Sequence, residues 1–151
     1  VPKFQFKLET LLNMRLGRRD QCRQALASIL SHDAELAAEM QRVVQQRLGQ
    51  LQELRDLNSS RDMNIDATAA RRYFAGQLTS EIAGIEHQQS LVAAQIEICR
   101  QTLVKADQDV KALENLKEKQ LAEYSQLQER RAQRELEDSW SATNRDEVPL
   151  C

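Results

Sequence analysis

The chain has 151 residues, of which 29% are charged, 41% hydrophobic and 4% aromatic, with a formal net charge of -2. Close to half of them are Ala, Glu, Lys, Leu or Arg, the composition of long helices and coiled coils, and the few aromatics leave too little material for a multi-stranded sheet. The balanced, interspersed charge offers no general attraction to nucleic acid or to an anionic membrane, and no apolar run of about 18 residues is present to span a bilayer.

Both prolines, Pro2 and Pro149, lie at the extremities, so the sequence between them carries no obligatory helix breaker. The opening VPKFQFKLETLLNMRLG lacks the continuous apolar core and small-residue cleavage site of a secretory signal. Three cysteines, Cys22, Cys99 and Cys151, form no close-spaced motif and fit free thiols in a reducing compartment. A soluble, cytoplasmic, all-α chain is the expectation.

A first helix is predicted over about residues 6–58. Leu8 and Leu12 begin its apolar seam, which resumes at Cys22, Leu26, Ile29, Leu36, Met40 and Val43, with Asp33 intruding. After Val43 the strict heptad lands on Arg47 and Gln50. A one-residue shift through Val44, Leu48, Leu51 and Leu54 would restore apolar positions, so a local drift of the seam is expected there.

The polar stretch NSSRDMNID, Asn58 to Asp66, predicts a turn over about residues 59–66 that bends near Arg61 and Asp62, with Asp66 as the N-cap of a second helix.

This second helix, about residues 67–138, carries the cleaner pattern. Alternate steps of four and three from Leu78 meet Ile82, Ile85, Gln89, Val92, Ile96, Cys99, Leu103, Ala106, Val110 and Leu113, all apolar except Gln89. A short polar loop between two long helices makes them antiparallel neighbours. The fold expected is therefore a long antiparallel two-helix coiled-coil hairpin over residues 1–138, with residues 139–151 as a disordered tail. At 1.5 Å per residue the arms would span about 80 Å and about 108 Å. With the bend near Arg61, residue i of the first helix faces roughly residue 124 − i of the second, and residues beyond about 120 overhang. A lone helix in water gains little from burial, so this end should fray or dock on a partner.

Catalysis finds no support. His32 and His87 lie on different helices away from one another, and HExxH, CxxC and GxxxxGK[ST] are all missing from the sequence. A pair of narrow helices also provides no concave, water-excluding pocket, so no cofactor, metal or small-molecule ligand is expected. Cys22 and Cys99 both fall on the seam and read as small buried hydrophobes.

Two candidate contact regions remain. One is the overhang, where the basic candidates Lys117, Lys119, Arg130, Arg131 and Arg134 surround Tyr124, Arg and Tyr being side chains that often anchor partners. The other is the hairpin end, with the adjacent aromatics Tyr73 and Phe74 followed by Leu78. Phe74 extends the heptad ladder one step back from Leu78, and Tyr73 turns outward.

Three stretches resemble one family. FQFKLETLL (Phe4–Leu12) is similar to the F-x-F-x-L-x-x-LL opening of the flagellar export protein FliJ. RRYFAGQLTSEI (Arg71–Ile82) is similar to that family's aromatic-then-leucine stretch after its turn. KALENLKEKQLAEYSQLQERRAQRELED (Lys111–Asp138) resembles its closing block with a Tyr and a Glu/Arg-rich end. Many relatives carry a tyrosine near the end of the first helix, where this chain has Leu48, Gln50 and Leu51.

The resemblance implies a non-enzymatic component of the flagellar type III export apparatus, similar in architecture to the central stalk subunit of rotary ATPases. It further implies a contact of the two termini (Leu8, Leu11, Leu12 and Lys117, Lys119, Tyr124, Arg130, Arg131, Arg134) with the hexameric export ATPase, a FliI-like protein. The tip (Tyr73, Phe74, Leu78) would contact the cytoplasmic domain of the FlhA-like export gate, and export chaperones would be further partners. Such a chain would be cytoplasmic and peripherally associated with the inner-membrane apparatus, serving motility and hence chemotaxis. The alternatives are a generic coiled-coil scaffold forming a four-helix dimer, and an injectisome stalk of the YscO type. A prefoldin-like holdase would need a β-platform, for which no β-rich segment exists.

Overall fold

The computed structural model describes residues 2–60 and 64–145. Two helices account for nearly all of them, α1 (Glu9–Ser59) and α2 (Ile65–Arg145), and no strand occurs among the described residues. The chain is all-α, as its composition requires. Arg61 and Asp62, where the bend was expected, lie outside the described residues, as do Cys151 and the rest of 146–151.

Local chemistry sets the helix ends. The Glu9 amide donates to the Phe6 carbonyl oxygen (3.2 Å) and the Leu12 amide to that of Leu8 (2.8 Å), with Glu9 in the first turn where a negative charge favours the helix dipole. At the far end the Ser59 hydroxyl donates to the Asp56 carbonyl oxygen at 2.9 Å. Asn64, and not Asp66, caps α2. Its Oδ1 accepts from the amides of Asp66 (3.2 Å) and Ala67 (3.3 Å), which places Asp66 inside the first turn. The helix also runs seven residues beyond the expected end at Asp138. No breaker precedes Pro149, the Thr143 hydroxyl bonds back to the Ser139 carbonyl oxygen (2.9 Å), and Arg145 complements the dipole in the last turn.

The chain divides into two compact units. One comprises residues 20–104, with the later part of α1 packed antiparallel on the earlier part of α2. Its core has two clusters. Leu36, Val92 and Ile96 are joined by Leu26 and Ile29; Val43, Leu78 and Ile85 are joined by Met40 and Ile82. Pairs such as Leu36 with Val92 and Arg42 with Glu81 (3.9 Å) follow the expected register of about 124 − i. Val43 is fully buried, and burying such aliphatic side chains contributes about 1.5–3 kcal/mol each.

The inward positions of α1 in this unit keep strict heptad phase. After Val43 they continue through Arg47, Gln50, Leu54 and Leu57, while Leu48 and Leu51 are exposed. The expected drift does not occur. The packed layers at Leu36 and Val43 fix the phase of a continuous helix, and Arg47 and Gln50 are half-buried at the positions that follow. Ala75, not Phe74, holds the seam position before Leu78: Ala75 is 7% exposed and Phe74 42%.

The other unit comprises residues 2–19 with 105–145. Phe6, Leu12 and Val110 form its core, supported by Phe4, Leu16 and Leu113. Ion pairs Arg15–Asp109 (3.4 Å), Arg19–Asp107 (3.7 Å) and Lys117–Glu9 (2.9 Å) fix the same antiparallel register at its edge.

Candidate partner-binding surfaces

In the unit holding the chain's beginning, residues 2–8 are not helical and lie along α2. Phe6 buries its ring in the core, and Lys117 sits between the Glu9 carboxylate at 2.9 Å and the Phe6 ring, 6.0 Å from its centroid. Two turns further along α2, Phe4 packs on Tyr124 with centroids 5.6 Å apart, and the Tyr124 hydroxyl donates to the Pro2 carbonyl oxygen. Lys117 and Tyr124, both expected to meet a partner, are thus already used to hold the opening segment.

Beyond Tyr124 the character of α2 changes. From residue 125 to 145 every side chain is exposed except that of Gln128, which is half-buried. Arg130, Arg131 and Arg134 meet no carboxylate among the described residues, and Lys119, about three turns before Arg130, is exposed. Leu136 and Trp140, four residues apart, stand 72% and 69% exposed and line a shallow concavity with Gln133, Ser139 and Thr143. Trp140 lies in the stretch expected to be a disordered tail, and only its four-residue spacing from Leu136 marks it in the sequence. Of the three leucines assigned to this end, Leu8 is exposed, Leu11 half-buried and Leu12 buried in the core.

In the other unit, the surface near the turn holds Tyr73, 70% exposed, whose hydroxyl oxygen accepts from Gln77 Nε2 at 3.0 Å. Phe74 is partly exposed beside it, whereas Leu78, at 3%, belongs to the Val43 cluster. Exposed Leu48, Leu51 and Ile65 add apolar area there, the two leucines lying outside because the seam does not drift. Ile65 lines a concavity of about 410 Å³ with Asn58, Thr68, Ala69 and Arg72.

Farther along α1 the same unit carries a tight surface pair. Arg42 donates to both Glu39 oxygens (3.0 and 2.5 Å), and this bonding holds the Glu39 carboxyl below the usual range and raises the guanidinium. Among the described residues no three His, Cys, Asp or Glu side chains converge as a metal site, and no helix is long and apolar enough to cross a membrane. His32 and His87 are exposed, while Cys22 and Cys99 are half-buried free thiols.

A comparison with protein families matches residues 4–143 to the family described as Flagellar FliJ protein. No match was found among curated proteins or among solved structures.

Proposed function

The chain belongs to the FliJ family and so has a role in flagellar protein export; from that premise we propose that it acts there as a non-enzymatic stalk of the export ATPase. The observation that supports this most is the stretch of α2 beyond Tyr124. A continuous helix of some twenty residues presents arginines without carboxylate partners and a Leu136–Trp140 pair, and no other described element covers it. A helix so placed gains little from its own chain and much from a groove lined with acidic and apolar groups. Arg130, Arg131 and Arg134, with Lys119 and Leu8, are the contact residues in this reading. Leu12, Lys117 and Tyr124 instead hold the opening segment against α2, and Leu11 is half-buried beside Leu12.

The exposed residues near the turn, Tyr73 and Phe74 with Leu48 and Leu51, form the second contact, for the cytoplasmic domain of the export gate; Leu78 supports them from the core. Joined to both partners, the chain would associate peripherally with the inner-membrane apparatus and take part in handing over export chaperones. Titrating the purified chain into the cognate ATPase in a calorimeter tests the first contact. The reading requires saturable binding that is lost when the chain is truncated after Tyr124. Equal affinity of the truncated chain would remove the exposed stretch from it.

A further inference from the structure

The seam of the unit formed by residues 20–104 changes chemistry near the turn. Through the Val43–Leu78–Ile85 cluster, apolar side chains meet apolar side chains. On the turn side of it, the register opposes Gln50 to Ala75, Leu54 to Arg71 and Leu57 to Thr68, so each of these layers contains a polar residue. Of the six, only Leu54 and Ala75 are buried. The arms are tied here by polar contacts of Arg71, whose guanidinium donates to Gln50 Oε1 at 3.5 Å and pairs with the Glu53 carboxylate. The side chains of Arg71 and Glu53 stay 39% and 52% exposed, so water and salt compete for this tie. Gly49 and Gly76, one on each arm, further weaken the helices at this level.

We propose that the part of this unit between the Val43–Leu78 layer and the turn opens as a separate element, with Arg71 as the clasp that holds its arms together. An apolar seam resists parting because it must expose its surface to water. A seam of mixed layers loses little, so its closure depends on one solvent-accessible charged cluster. The arms then part near the turn while the cluster below remains packed.

Hydrogen–deuterium exchange of the full chain, followed by mass spectrometry, tests this. In the unaltered protein, amides of residues 47–59 and 66–76 exchange at least about tenfold faster than those of 36–43 and 82–96, and 1 M salt accelerates the first group only. Glu53→Gln accelerates the same group by about threefold or more and leaves the second group unchanged. Arg71→Leu, which turns the Leu54 layer apolar, slows the first group toward the second. Both variants read the exchange of 36–43 and 82–96 as an internal check on folding. A single common exchange rate for both groups, or exchange near the turn that neither salt nor Glu53→Gln alters, overturns the proposal.

Discussion

Tyr124 packs on Phe4 at a centroid distance of 5.6 Å and donates its hydroxyl to the Pro2 carbonyl oxygen, which ties the opening segment to α2. An aromatic pair of this kind contributes about 0.5–1.5 kcal/mol beyond its buried area. Tyr124→Ala and Phe4→Ala should each lower the melting temperature by a few degrees, at about 2–4 °C per kcal/mol for a chain of this size. The double variant should lose less than the sum. Additive losses in a double-mutant cycle would show that the rings do not interact.

Leu78 and Tyr73 should separate cleanly as structural and surface residues. Leu78 is 3% exposed within the Val43 cluster, so Leu78→Ala should cost about 2–5 kcal/mol in chemical denaturation. Tyr73 is 70% exposed, and Tyr73→Ala should change stability by no more than about 0.5 kcal/mol. If Tyr73 contacts the export gate, its replacement weakens gate binding at unchanged stability. A large stability loss at Tyr73 would contradict the exposure described.

The Glu39–Arg42 pair sets a small pH dependence. The hydrogen bond from Arg42 depresses the Glu39 carboxyl, desolvation opposes it, and the guanidinium charge adds to the depression. A depressed folded-state value means the contribution is complete above the unfolded glutamate range and disappears as pH falls through the folded value. The raised Arg42 contributes below the ordinary arginine range and loses this only at strongly alkaline pH. Carboxyl NMR titration of Arg42→Ala should move the Glu39 midpoint up toward that of an ordinary glutamate, with little change in melting temperature because the pair is on the surface. An unmoved midpoint would show that the pair does not persist in solution.

Much of this fold is readable in the residue pattern, and the places where it is not share a cause. The run from Leu78 to Leu113 returns an apolar side chain at nearly every step, so both its seam and, with the turn placed near Arg61, its antiparallel register are legible directly. Near the turn the side chains mislead. Leu48 and Leu51 are the apolar residues there, yet Arg47 and Gln50 keep the inward positions, because the phase of a continuous helix is set by the packed layers before them. Phe74 misleads in the same way beside Ala75. Asn64 and Asp66 are equally good caps by type, and only the bonds from Asn64 to two amides decide between them. The exposed arginines were readable as charge, whereas the prior engagement of Lys117 and Tyr124 depends on a non-helical opening segment that heptad spacing does not describe.

In the stalk reading, the exposed end of α2 acts on an export ATPase. Nucleotide turnover by the cognate flagellar ATPase, recorded with and without the chain at matched concentration, measures this most directly. Turnover should be faster with the unaltered chain, and most of that stimulation should be lost with Arg130→Ala, Arg131→Ala and Arg134→Ala combined, at unchanged helicity by circular dichroism. Turnover that is indifferent to the chain, or stimulated equally by the triple variant, would contradict it.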